Sequence, residues 1–293
     1  MSSTLETLQK QIGNGEDLSS IVKTMKALAA TSVRQYEKAA ESLDDYYHTV
    51  ELGLSVVLSS EFEIPASSKA KRSGPEIKVV FGSDHGLAGR FNEQIVNYAL
   101  ENIENSGSII LAIGEQVINR LQAAGTTPVR ELHMPSSISA ITPFVQSLLA
   151  EIEQLRLKEG AEKVALYFNR PRTGSFSSVA ETMLPVDLDS LRETRLEWQS
   201  RSLPTFTMPA GRLLSALLRQ YFIVSLYRAC ALSLAAENTS RLAAMQAAEK
   251  NINERLDQLK VAYQHERQAA ITEELLDIIS GFRAVRAVKT IEV

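Results

Sequence analysis

The apolar positions in the last third of the chain recur at helical spacing. Leu242, Met245, Ile252, Leu256, Leu259 and Tyr263, then Ile271, Leu275 and Ile278, are separated largely by steps of three, four and seven, the spacing of a coiled-coil seam. Between Arg212 and Ser280 there is neither Gly nor Pro, the two residues that most penalise helix interiors. At about 1.5 Å per residue an unbroken helix over that span reaches on the order of 100 Å, more than a compact domain of this mass contains. Alanines such as Ala229, Ala231, Ala235, Ala236, Ala243 and Ala244 suit a helix and let a partner approach closely. A second stretch, Glu16 to Leu52, also lacks both breakers, and Leu43, Tyr47, Val50, Leu54 and Val57 repeat the rhythm. Two seams predict a two-helix coil; two ordinary helices of a bundle are the alternative.

Between these stretches the pattern changes. IPASSKAKRSGP is a polar, basic linker with two prolines, and EIKVVFG, SIILAIG and EKVALYFN are apolar runs of strand length, with SSVAETMLPVD a fourth candidate. Helical patterns fall between them, around Asn92 to Glu104, Glu115 to Ala124 and Thr142 to Lys158. The alternation predicts a small, mostly parallel α/β sheet. The segment from about Ser190 to Pro209, with Trp198 and Pro204, leads back to the long helix. The fold class is thus α/β with long helices, and the expected domains are an N-terminal coiled-coil helix over 1–62, an α/β domain over 75–200 and a C-terminal coiled-coil helix over 205–289.

Composition narrows the function. The 293 residues carry 31 basic and 35 acidic side chains, a net charge of −4, so nothing draws the whole chain to nucleic acid or anionic lipid. The single cysteine, Cys230, sits in the apolar run SLYRACALSLAA and reads as a core thiol. No secretory or transit signal and no span long enough to cross a bilayer is visible, which predicts a cytoplasmic protein that reaches a membrane only through partners.

Neither G-x-x-x-x-G-K-[ST] nor G-x-G-x-x-G occurs at a strand-to-helix junction, so no nucleotide, and no other cofactor, is expected. FGSDHGLAGRFN, after the first strand, gathers Asp84, His85, Gly86, Gly89 and Arg90 where open α/β sheets hold ligands. An enzyme reading makes Asp84 and His85 an acid/base pair, although neighbours on a turn seldom aim at one reacting atom. The structural reading has Gly86 and Gly89 permitting a tight turn and close helix packing while Asp84 binds local backbone amides. His48, His85, His133 and His265 show no metal-binding spacing. Lys23, Lys26, Arg34 and Lys38 near the start, and Arg283, Arg286 and Lys289 near the end, are either solvated helix faces or an electrostatic lure for an acidic partner.

Four motifs in order then resemble one family. QHERQAAITEELLDIISG, with Ile271, Thr272, Glu274, Asp277 and Gly281 in place, resembles the C-terminal signature of the gamma subunit of F-type ATP synthases. IVKTMKALAATSVRQ is similar to that family's first helix, SDHGLAGRFN to its Asp-Arg-Gly-Leu-Cys-Gly turn, and RLAAMQAAEKN to a further stretch. His85 stands for the usual Arg, Ala88 for Cys, Phe282 for Ala and Ile223 for Glu, which points to a divergent branch such as the alternate F-type ATPases. The resemblance implies an antiparallel coil of the two ends inside a ring of three alpha and three beta subunits. It also implies a Rossmann-like insert on the membrane c-ring, contacting epsilon, and catalysis on beta rather than here. Arg267, Gln268, Thr272 and Glu274 would contact beta high on the shaft, and Lys23, Met25 and Lys26 would face an acidic beta loop lower down. The complex would lie peripherally on the cytoplasmic face of the cell membrane. A free-standing coiled-coil scaffold and a small α/β enzyme with helical arms are the rival readings.

Overall fold

The computed structural model describes residues 2–59, 74–102, 107–187 and 204–291, and side chains 2–3 and 281–291 fall outside that description. Nearly all of the basic linker, most of the Ser190–Pro209 segment including Trp198, and the expected helix end at Glu104 therefore lie outside the described residues. In chain order the elements are α1 (Ser2–Glu41), α2 (Asp44–Ser59), β1 (Glu76–Phe81), α3 (Phe91–Glu101), β2 (Ile109–Ile113) and α4 (Glu115–Ala123). They continue with β3 (Arg130–Leu132), α5 (Ile138–Glu159), β4 (Lys163–Arg172), β5 (Ser175–Leu184) and α6 (Ala210–Ile291). The chain divides into two compact units, one of the paired ends Met1–Ala27 and Met245–Val293, the other of Leu28–Ala244.

In the larger unit the sheet order is β3-β2-β1-β4-β5. β1, β2, β3 and β4 run parallel, and β5 returns antiparallel on β4. Registers such as Val79 opposite Leu111 and Leu166 align apolar residues across three strands. The two-residue side-chain period then divides them between two faces. On one face Ile77, Val79, Phe81, Leu111, Leu166 and Phe168 meet Ile141, Val145, Leu148 and Ile152 of α5. The same cluster takes in Tyr36 and Ala40 of α1 and Leu226, Ala229, Cys230 and Leu234 of α6. On the other face Val80, Ile110, Ala112 and Tyr167 are covered by Ile95 and Val96 of α3 and by Val117 and Leu121 of α4. Burial on both faces is why the central strands read as unbroken apolar runs. Lys78 is the exception, buried at 1% exposure. Its amine donates to the Asn102 carbonyl at the end of α3, lies 3.6 Å from a Glu76 carboxylate oxygen and sits 5.5 Å from the centre of the Tyr167 ring. Those three partners meet the charge that burial strips of water.

α1 begins at Ser2, within the expected 1–62 segment, and runs through Gly13 and Gly15 ahead of the stretch that lacks helix breakers. The glycine penalty is about 1 kcal/mol, and at Gly15 the missing side chain admits Leu256 of α6, whose methyl would lie 2.7 Å from a Cβ there. The first helical stretch is also two helices, because Leu43 donates its amide to Ala40 instead of one residue further back while Ser42 Oγ bonds the Ala39 carbonyl at 2.9 Å. The tightened turn shifts the helix phase. Beyond it Val50, Leu54 and Leu58 of α2 pack on Leu214, Leu217, Leu218 and Tyr221 of α6, with Tyr47 hydroxyl donating to Tyr221 hydroxyl at 3.0 Å. β3 leaves no signal in the sequence, since its three residues are too few to show a period.

In the smaller unit α1 and α6 run antiparallel: Glu16 pairs with Lys260 at 2.9 Å, and Lys26, ten residues on, reaches back to Glu249. Of the expected seam, Met245, Leu256 and Leu259 are buried and Ile252 and Tyr263 half-buried, whereas Ile271, Leu275 and Ile278 stay 48%, 54% and 56% exposed. Leu111→Ala, at a fully buried site in the centre of the sheet, is expected to cost about 2–5 kcal/mol, read as a lower urea midpoint with an unchanged slope.

Candidate functional site

Two sets of helical positions in the unit of paired ends, and one turn in the larger unit, are the candidates. In α1, Lys23 is exposed, Met25 is half-buried, and Lys26 is held by Glu249 across the helix pair. Lys26 therefore contributes to the pairing of the two ends, a role its sequence separation from Glu249 concealed. In α6, Arg267, Gln268, Thr272 and Glu274 are all exposed. The Thr272 hydroxyl donates to the Gln268 carbonyl one turn back at 2.8 Å, which satisfies it without removing it from the surface. Arg267 and Glu274, seven apart, share a helix face. Leu275, Leu276, Ile278 and Ile279, all 48–60% exposed, follow directly. Charged, amide and apolar groups thus alternate along one uncovered length of helix, the composition of a contact surface for another chain. The side chains of Phe282, Arg283, Arg286 and Lys289 lie outside the described residues.

The turn after β1 is tied into the sheet by distant partners rather than the local amides expected. Asp84 accepts the Glu115 amide, at the start of α4, at 3.1 Å on one oxygen and the Met134 amide, after β3, at 3.0 Å on the other. Its carboxylate therefore fastens the carboxyl ends of three strands, with His133 Nδ1 a further 3.4 Å from it. Ser83 and Asn92 bond each other twice, at 3.0 and 2.8 Å, inside the same crevice. Both oxygens of Asp84 are engaged in holding backbone, while His85 faces solvent. The geometry makes Asp84 an anchor and gives the adjacent pair no shared target. Of the two glycines, Gly89 takes the left-handed conformation at φ 56°, whereas at Gly86 it is the neighbour Leu87 that does so, at φ 63°.

A buried ion pair on α6 lies beyond what the sequence reading anticipated. Glu237, 6% exposed, receives Arg241 at 2.6 Å. Burial pushes its carboxyl above the usual range, against the pull of Arg241 and of His85. The signal in the sequence is an acid and a base one turn apart, directly after the apolar run ACALSLAA. Cys230 is wholly buried, and burial raises its thiol pKa. Among the described residues no group of three His, Cys, Asp or Glu is placed to hold a metal ion, and no helix is long and apolar enough to cross a membrane.

A family model described as ATP synthase matches residues 4–285. Curated relatives named ATP synthase gamma chain align almost end to end: that of Ralstonia nicotianae is 29% identical over 95% of this chain and 98% of its own. That of Methylobacillus flagellatus is 26% identical with the same coverage. The chain belongs to the ATP synthase gamma-chain family. In fold it is similar to a chain in the cryo-EM structure of Euglena gracilis mitochondrial ATP synthase, OSCP/F1/c-ring, in rotational state 3. The TM-score is 0.67, with 15% identity, over 99% of this chain and 97% of that one.

The geometry fixes two expectations. Asp84→Asn leaves one acceptor oxygen for two amides, so about 1–3 kcal/mol of stability is lost, measured by chemical denaturation. For Glu237, a raised folded pKa means the native state holds its proton to higher pH than the unfolded chain. Its contribution to stability is therefore greatest at low pH and declines as pH rises from 4.5 toward the folded value. Glu237→Gln is expected to remove that decline from the stability-against-pH curve.

Proposed function

We propose that this chain is the central rotor shaft of an F-type ATP synthase, coupling rotation driven by transmembrane ion flow to ATP synthesis or hydrolysis carried out on beta subunits. The observation that carries this reading is the antiparallel pairing of α1 and α6 at Glu16–Lys260 and Lys26–Glu249, in a chain that matches the family from end to end. Helix pairs of this kind are stiff because each backbone is fully hydrogen-bonded and each seam is interlocked. A shaft that is not symmetric about its axis presents different faces to three surrounding catalytic sites, so turning it shifts their conformational equilibria in sequence.

In this reading the chain is not itself a catalyst. It sits within three alpha and three beta subunits, with epsilon and the membrane c-ring as its other partners, and it reaches the cytoplasmic face of the cell membrane through them. The working parts are the N-terminal coiled-coil segment 1–62, the α/β domain of 75–200 and the C-terminal coiled-coil segment 205–289. Arg267, Gln268, Thr272 and Glu274 contact beta by hydrogen bonds and charge, and their exposure within this chain supports that role. The uncovered Leu275, Leu276, Ile278 and Ile279 next to them gain burial from the same surroundings, each worth up to about 1.5–3 kcal/mol if fully buried. Lys23, Met25 and Lys26 face an acidic beta loop. Lys26 does so while shared with Glu249, so Lys23 carries the larger unshared charge.

Arg267→Ala with Gln268→Ala is expected to weaken assembly or to lower ATP-driven ion pumping in reconstituted complexes, while the α/β sheet keeps its fold by circular dichroism. Unchanged pumping and assembly remove these residues from the contact surface. Recovery of the tagged chain without alpha and beta subunits favours the free-standing scaffold.

A further inference from the structure

The turn that Asp84 anchors also grips α6. Its Ala88 carbonyl accepts a hydrogen bond from Ser240 Oγ at 2.7 Å, across 152 residues of chain. Gly89 offers α6 no side chain: a Cβ there would lie 3.4 Å from Ser240 Oγ and 4.0 Å from the Ala244 methyl. Ala88 and Phe91 pack with Ala236 of α6 and with Phe176 of β5, the two rings 5.6 Å apart. Ala236, Ser240 and Ala244 recur every fourth residue and so form one face of the helix, and all three are small. One position round from that face lies the buried Glu237–Arg241 pair, within the field of His85 and Asp84.

We propose that the turn Ser83–Arg90 is a key that fixes the rotational phase and axial position of α6 against the sheet, and that torque passes between sheet and helix through it. This rests on the shaft reading, since only a turning shaft has torque to pass. Apolar packing alone is weakly directional, so a cylindrical helix held only by it can creep. A donor matched to one carbonyl is directional. Displacing α6 by one residue moves the axis by about 1.5 Å and turns the face by about 100°, which takes Ser240 from the Ala88 carbonyl and brings the larger Thr239 or Arg241 against Gly89. The key is itself held rigid. Asp84 binds amides at the start of α4 and after β3, Ser83 and Asn92 clasp each other, and Asn169 donates to the Phe91 carbonyl at 3.0 Å while accepting from Ser178 at 2.7 Å. Leu87, a bulky residue in the left-handed region at φ 63°, persists in that conformation only where its surroundings over-determine the backbone.

The test uses the assembled ATP synthase carrying Ser240→Ala with Gly89→Ala, and Val145→Ala as a control that loosens the core on the α5 side. The readouts are co-purification with alpha and beta subunits, ATP hydrolysis, and ions pumped per ATP against an opposing gradient. The double variant is expected to assemble, to hydrolyse ATP within about twofold of the parent, and to pump several-fold fewer ions per ATP, while Val145→Ala leaves that ratio unchanged. An unchanged ratio in the double variant, or an equal fall in the control, overturns the key. If the double variant does not assemble, Ser240→Ala alone, which removes one oxygen and adds nothing, decides by the same ratio. Failure of the unaltered chain to co-purify with alpha and beta overturns the shaft reading instead.

Discussion

An 82-residue helix cannot bury an apolar stripe against itself, and most of this chain's architecture answers that constraint. Along its length α6 takes a succession of partners. Leu214 to Tyr221 lie on α2, Leu226 to Leu234 on the sheet, and Ala236 to Ala244 on the turn after β1. In the unit of paired ends, Leu256 lies over Gly15 of α1. Each partner imprints its own side-chain sizes on the helix: leucine and tyrosine toward α2, alanine and cysteine toward the sheet, alanine and serine toward the turn. The hydrophobic contribution comes from all of these regions, and directional hydrogen bonds such as Ser240 to Ala88 add to it at the turn.

The α/β domain shows the same economy at its strand ends. Folds of this layout gather ligands where the strands end, but here that crevice is occupied by the protein's own groups. Asp84 holds the amides that open α4 and follow β3, Asn92 fills the space behind Ser83, and the outer wall of the turn lies on α6. Groups that elsewhere would be available to a ligand are spent on fixing one piece of the chain to another.

What the sequence showed and what it hid follow from range. The long helices were legible because Gly and Pro are absent between Arg212 and Ser280, and β1, β2 and β4 because strands buried on both faces read as continuous apolar runs. The break at Ser42–Leu43 was not, because no Gly or Pro marks the shift to a tighter turn. The α6 residues that the motif singles out, Arg267, Gln268, Thr272 and Glu274, are exposed in the structure. The partners of Asp84, Lys26 and Ser240 lie from 31 to 223 residues away, a separation that no local pattern encodes.

Cys230 has a practical consequence for studying motion in this protein. It is the only thiol in the chain, it is fully buried in the layer between sheet and helix, and burial disfavours the thiolate that alkylating reagents require. A cysteine introduced on an exposed turn of α6 would therefore be the one reactive handle for a fluorophore or a bead. The native thiol could stay in place, sparing the core the void that its removal would leave.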